Sequence, residues 1–209
     1  MKIGIMGGSF DPVHNGHIGL AEDAVTMAGM DEVIMIPAGI QPFKQDRRTE
    51  SGEDRFRMLA LVAGQNDHIT VSRNELDCEG VSYTYLTMRR IQEMNRHARL
   101  YFICGTDSFL KIDTWKNSRE LLSNYSYIVG YDRPGYRHNE LKEAIERISR
   151  NYGTDIITIH NRQFDVSSTE IRERIAEGKS IAHLVPPAVE RYIRENELYR
   201  SRKTEREDP

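Results

Sequence analysis

Apolar residues in this chain fall into six short runs, each bounded by turn-forming residues: Lys2–Met6, Val33–Ile36, Ile69–Val71, Leu100–Cys104, Ser126–Val129 and Ile156–Ile159. Between most of them lie segments in which apolar side chains recur every three to four positions. These are Asn15–Met27, Glu53–Ala63, Tyr83–Asn95, Ser118–Ser123 and Asn139–Arg150. Short apolar runs read as buried strands, and strands that alternate with amphipathic helices form a parallel sheet covered on both faces. The pattern therefore predicts an α/β fold, a doubly wound parallel sheet, followed by a small C-terminal helical segment. In that segment Val185-Pro186-Pro187 opens a helix in which Val189, Tyr192 and Ile193 share one face, a packing surface.

At 209 residues, with no linker or shift in composition, the chain is long enough for one core. We expect a single domain over residues 1–199 and a frayed polar tail over 200–209. A net charge of −3 argues against wholesale coating of nucleic acid. The two cysteines, Cys78 and Cys104, lack the spacing of a disulfide framework or a zinc site. No charged leader and no bilayer-length apolar run is present, so the expected location is the cytoplasm, without membrane contact. Nothing in the sequence marks a subunit interface, which leaves homo-oligomerisation open.

In a doubly wound sheet, ligands bind beyond the carboxyl ends of the strands where the strand order reverses. Three loops that follow strands are placed to meet there: Gly7–His17, Gly105–Trp115 and His160–Thr169. The first reads Gly7-Gly8-Ser9-Phe10-Asp11-Pro12-Val13-His14-Asn15-Gly16-His17. Gly7 and Gly8 are expected to form a tight turn whose backbone can approach a ligand at angles a side chain forbids. His14 and His17, at i and i+3, share one side of a first helical turn and can face the same phosphate. The plain alternative is a pair of ordinary polar residues on an exposed turn.

Near the other end, Val166-Ser167-Ser168-Thr169-Glu170-Ile171-Arg172 puts hydroxyls before an apolar-periodic segment, so Ser167 or Ser168 is expected to cap a helix. A capped helix start is also an anion site, and Arg172 would stand one turn in, within reach of phosphate oxygens. Gly178-Lys179-Ser180 echoes the end of a P-loop, but Glu173 stands where that motif needs glycine. No Gly-x-Gly-x-x-Gly follows any strand.

The two stretches resemble the His-x-Gly-His and Ile-Ser-Ser-Thr-x-Ile-Arg signatures of the nucleotidyltransferase superfamily, with Val166 in place of the isoleucine. Further matches narrow the resemblance to the bacterial nicotinate-mononucleotide adenylyltransferases, from Met1 to about Tyr199. They are Ile36-Pro37-Ala38-Gly39, Pro42-Phe43-Lys44, Arg55, Met58, Gly80-Val81-Ser82-Tyr83-Thr84-Tyr85, Gly105-Thr106-Asp107 with Trp115, and Arg133-Pro134-Gly135. At residue 106 the family usually has alanine; the retained Asp107 carboxylate makes that change of little expected consequence.

The resemblance implies a Rossmann-like fold and the transfer of AMP from ATP to nicotinate mononucleotide, giving deamido-NAD and pyrophosphate, in NAD biosynthesis. It implies that His14, His17, Lys44 and Arg172 stabilise charge on the α-phosphate and the departing pyrophosphate. ATP contacts are implied for Gly7, Gly8, Ser9, Phe10, Gly105, Asp107, Ser167, Ser168 and Thr169. Acceptor contacts are implied for Ser9, Lys44, Thr84, Tyr85, Asp107, Trp115 and Arg133. Trp115 would stack on the pyridine ring while backbone N–H groups near Thr84 and Trp115 receive the nicotinate carboxylate. Mg²⁺ would come with ATP, bridging the triphosphate, with no metal site built by the protein. A cationic pyridinium suits an indole face on physical grounds as well. The alternatives are the same chemistry on 4′-phosphopantetheine, a relative of the class I aminoacyl-tRNA synthetases, and a nucleotide-binding regulatory protein without turnover.

Overall fold

A computed structural model describes residues 1–40, 49–131, 138–160 and 166–200. Lys44 and Arg133, and the tail from residue 201, lie outside them. The strands are β1 (Lys2–Gly8), β2 (Glu32–Pro37), β3 (Ile69–Val71), β4 (Arg99–Gly105), β5 (Ser126–Tyr131) and β6 (Ile156–His160). They form one sheet in the order β3-β2-β1-β4-β5-β6, and every neighbouring pair is parallel. The order reverses between β1 and β4, which makes their carboxyl ends the switch point of a doubly wound, Rossmann-like sheet.

The period of two along each strand sends alternate side chains to two separate cores. Met6, Val33, Met35, Tyr101, Ile103 and Ile128 face one layer, with α1 (Asn15–Ala28), α2 (Gly52–Ala63), α7 (Ser168–Ala176) and α8 (Pro187–Glu195). Ile3, Ile5, Leu100, Phe102, Tyr127 and Val129 face the other, with α3 (Thr84–Met94), α5 (Ser118–Asn124) and α6 (His138–Tyr152). In α1, Ala21, Ala24 and Ala28 are buried, small side chains that bring the helix close to the sheet. As expected, α8 buries Val189 and Ile193, and Tyr192 packs beside them. None of the helices among the described residues is long and apolar enough to cross a membrane.

Two expectations are corrected. Gly7 and Gly8 are not a turn: they are the last residues of β1, paired with Ile36 and Pro37. The left-handed backbone falls on Phe10, with φ 48°. What position 8 requires is space, since a Cβ there would lie 3.1 Å from the Phe10 ring. The segment Gly105–Trp115 is not an open loop either. It folds into α4 (Thr106–Phe109) and a 3₁₀ turn, Ile112–Thr114, which bury Phe109 and Ile112. Turns this short leave no periodicity to read. Gly178, at φ 71°, closes α7, where the Lys179 N–H donates to the Arg174 carbonyl at 2.7 Å, so the P-loop echo is a helix end.

Candidate active site

A cleft of about 910 Å³ opens at the switch point, near the upper end of the roughly 300–1,000 Å³ usual for small-molecule sites. Gly7, Gly8, Ser9, Phe10 and His17 line it from the β1 side, and Gly105, Asp107 and Trp115 from the β4 side. Thr84 closes it from the start of α3, and Ser168, Thr169 and Arg172 from α7. The fold thus gathers twelve of the expected site residues around one space. His14, Tyr85 and Ser167 do not line it.

His14 is the N-cap of α1, with an extended backbone, and His17 follows one turn in. Their rings stack with centroids 3.6 Å apart, and the Phe10 ring meets His17 edge-on at 4.9 Å. The His14 N–H donates to His17 Nδ1 at 3.3 Å, which puts the proton of the neutral His17 ring on Nε2. Gly16 between them leaves room for the stack, because a Cβ would press to 3.1 Å from His14 Nδ1 and 3.3 Å from Val166 Cγ1. None of the first-turn residues of α1 is acidic, so no carboxylate of that turn competes with an anion for the positive end of its dipole.

His14 itself is buried under His17, and its Nδ1 has no hydrogen-bond partner among the described residues. Burial pushes the imidazole down to about 4, from an ordinary value of about 6.5. Because the folded state holds this ring neutral, its contribution to stability is complete above the unfolded value and is lost as pH falls. We expect the unfolding free energy of wild type relative to His14→Gln to fall by up to about 3 kcal/mol between roughly pH 6.5 and 4. Urea titrations at half-unit pH steps measure it, and parallel curves for the two proteins would show that the buried ring does not titrate.

The start of α7 meets the β1–α1 loop. Ser167 Oγ caps α7 by accepting the Glu170 N–H at 3.1 Å, and Ser168 Oγ donates to the Pro12 carbonyl at 3.0 Å. Arg172 donates to the Asp11 carbonyl at 2.7 Å and to Thr169 Oγ1 at 3.2 Å, with its side chain 30% exposed. Two of the five guanidinium N–H groups are thereby engaged, and the plane of the fork is fixed. Arg55, buried, donates to the Ser9 carbonyl at 2.8 Å from beneath.

On the far side, Trp115 stands edge-on to Phe102 with centroids 5.8 Å apart, and Lys116 Nζ lies 4.4 Å above the Tyr83 ring. The Trp115 N–H donates to the Ile112 carbonyl at 3.1 Å, so that amide is taken by the 3₁₀ turn. The start of α3 differs. Its N-cap, Tyr83, makes no side-chain cap, which leaves the first-turn N–H groups at Thr84 to an anionic ligand. The Thr106 hydroxyl, where the family usually has alanine, donates to the Gly130 carbonyl at 3.2 Å and is satisfied inside the fold. Cys104 also borders the cleft, but burial pushes its thiol up to about 12, so it is no nucleophile.

Glu75, Tyr83, Lys111 and Lys116 line the cleft without having been anticipated. Glu75 is buried; its carboxylate accepts the Thr87 hydroxyl at 2.7 Å and bonds to Ser82 and the Gly39 N–H, while burial raises its pKa. That hub ties Gly39 to the Glu75–Thr87 stretch, a contact across the sequence that no local pattern could announce. Lys111 and Lys116 do have a signal, since they bracket the chain's single tryptophan, but one lysine among 29 basic residues reads as solvated by default.

Residues 5–174 match the model of the cytidylyltransferase-like family. A protein of Thermoanaerobacter sp. (strain X514), named probable nicotinate-nucleotide adenylyltransferase, is 38% identical over 96% of this chain and 95% of its own length. One of the same name from Moorella thermoacetica is 40% identical over 96% and 93%. Among solved structures, the Plasmodium falciparum nicotinic acid mononucleotide adenylyltransferase complexed with NaAD superposes with a TM-score of 0.77. It covers 95% of this chain and 97% of its own at 20% identity, a likeness of fold. With the His-x-Gly-His loop, the Ser-Ser-Thr helix start and the Trp115 wall around one cleft, the chain belongs to the cytidylyltransferase-like family and, within it, to the nicotinate-nucleotide adenylyltransferases.

Proposed function

We propose that ATP lies with its phosphates over the β1–α1 loop and α7, and nicotinate mononucleotide between Trp115 and the start of α3. The reaction is transfer of AMP from ATP to nicotinate mononucleotide, forming deamido-NAD and pyrophosphate. An oxygen of the acceptor's phosphate attacks the α-phosphorus; the new P–O bond forms as the bond from the α-phosphorus to the α–β bridging oxygen breaks. That bonding pair leaves with pyrophosphate. No protein nucleophile is needed, so the rate comes from alignment and from stabilising the charge that develops.

His17 donates from Nε2 and Arg172 from its fork to the phosphate oxygens, and His14 fixes the His17 ring from below. Lys44 is assigned to the same phosphates by its place in the family motif. Among the described residues no three histidine, cysteine or carboxylate side chains converge on a metal site. Mg²⁺ is assigned here as a companion of ATP, which would bring it to the site. When bound it neutralises phosphate charge. We also place the enzyme in the cytoplasm, with which the free thiols Cys78 and Cys104 agree.

The observation that carries this reading is the bond from Arg172 to the Asp11 carbonyl, which brings the two phosphate signatures to one site opposite Trp115. The test is pyrophosphate release from ATP and Mg²⁺ with nicotinate mononucleotide, nicotinamide mononucleotide and 4′-phosphopantetheine in parallel. Strong preference for the first is expected; activity with phosphopantetheine alone would keep the phosphate assignments and overturn the acceptor pocket. Intrinsic fluorescence reports the pocket directly, because Trp115 is the single tryptophan. Saturating nicotinate mononucleotide is expected to quench it by stacking, and an unchanged spectrum would remove Trp115 from the acceptor site.

A further inference from the structure

From the contacts at the end of the described chain we infer that Tyr199 is a positioning residue for adenylyl transfer, a latch that ties the β1–α1 loop to Glu50 just before α2. The inference rests on the placement of the ATP phosphates over the β1–α1 loop. The Tyr199 hydroxyl donates to Asp11 Oδ1 at 2.8 Å, across 188 residues of sequence. Its backbone N–H donates to Glu50 Oε1 at 3.1 Å. Asp11 and Glu50 are joined in turn, because the Glu50 N–H donates to Asp11 Oδ1 at 3.2 Å.

These bonds bear on the site through the groups they fix. Asp11 is 2% exposed, and its carbonyl receives the Arg172 fork at 2.7 Å. Arg55 donates from one nitrogen to the Glu50 carbonyl at 3.2 Å and from another to the Ser9 carbonyl at 2.8 Å. One tyrosine thus secures both the loop that carries Ser9 and Phe10 and Glu50, just before α2. The same C-terminal region holds the start of α1, where the Leu184 carbonyl accepts the Asn15 N–H at 2.9 Å and the His183 carbonyl accepts the Asn15 side-chain amide at 2.8 Å.

Tyr199 and Phe10 both have left-handed backbones, with φ of 62° and 48°. A residue with a Cβ stays in that region only when its surroundings hold it there, and here one such residue bonds Asp11 directly and the other immediately precedes Asp11 in the chain. Burial, together with the adjoining Asp11 carboxylate, pushes the Tyr199 hydroxyl well above the ordinary phenol range, so it remains a donor.

The test compares Tyr199→Phe with Tyr192→Phe in the full chain. The Tyr192 hydroxyl bonds Asp54 Oδ1 at 2.8 Å and Arg57, outside the Asp11–Glu50 pair, which makes it a control for loss of a neighbouring tyrosine hydroxyl. Well below the melting temperature, Tyr199→Phe is expected to lower kcat at least about tenfold while KM for nicotinate mononucleotide stays within about twofold, because misplacing the phosphate loop affects alignment more than acceptor binding. Tyr192→Phe is expected to keep wild-type kcat. Amide exchange at Ser9, Phe10, Asp11 and Glu50 is expected to quicken in Tyr199→Phe, with β5 unchanged. Wild-type kcat and unchanged exchange in Tyr199→Phe would overturn the latch, as would a fall in melting temperature alone. If wild type releases no pyrophosphate with nicotinate mononucleotide, the assignment of the reaction fails, and the exchange comparison still decides the latch.

Discussion

His17→Ala is expected to fold and to turn over about 10²–10³ times more slowly, the range for removal of one donor aimed at developing charge. The effect belongs to kcat. The His17 ring lines the cleft and, with Nδ1 engaged by the His14 N–H, presents its proton on Nε2. Alanine removes that donor. It also removes the partner of the His14 N–H and the stack on the His14 ring, and loss of a helix-start bond of this kind costs about 1 kcal/mol. In a chain of this size such a loss lowers Tm by about 2–4 °C, so the variant remains folded for assay. Steady-state pyrophosphate release together with a thermal melt separates the two effects. A folded variant with wild-type kcat would take His17 out of the mechanism.

Arg172→Lys is the more discriminating replacement at the opposite wall. It preserves the positive charge but not the fork, and the guanidinium holds the Asp11 carbonyl and Thr169 Oγ1 while it faces the cleft. An ammonium is a single compact charge that cannot hold both protein acceptors and reach a ligand with the same geometry. We expect kcat for Arg172→Lys to fall at least about tenfold, and for Arg172→Ala about 10²-fold or more, since the latter also removes the charge. Single-turnover measurements at saturating ATP isolate the chemical step. If lysine restores full activity, charge alone accounts for the role of position 172 and the bond to the loop is incidental.

The six strands and their order of appearance were legible because each is a short apolar run closed by turn residues, and β3 carries the expected bounds, Ile69–Val71. Elsewhere the sheet runs past the apolar run. β1 continues through Gly7 and Gly8, which no hydrophobic pattern marks, because backbone pairing with Ile36 and Pro37 needs no side chains. α7 begins at the hydroxyl run, with Ser167 as its cap, because that signal is local: one side chain accepts one N–H three residues on. The glycine pair misled for the complementary reason. Position 8 lacks a side chain to make room for Phe10, and only the folded ring shows that.

What the sequence determined alone is therefore whatever depends on neighbours a few residues apart: the alternation of strands and helices, the histidine pair at one helix start, the serine cap at another, and the motifs that marked the family. The tertiary structure decided everything that depends on distant segments arriving at one place. It put His14 beneath His17 with a buried Nδ1 that has no hydrogen-bond partner among the described residues, tied Arg172 to Asp11, and made Glu75 the joint between Gly39, Ser82 and Thr87. It also brought Tyr199 back to Asp11 in the β1–α1 loop, 188 residues away. Burial and hydrogen-bond partnership are properties of the packed chain, so the groups whose chemistry they alter could be read only once the strand order had placed β1 beside β4.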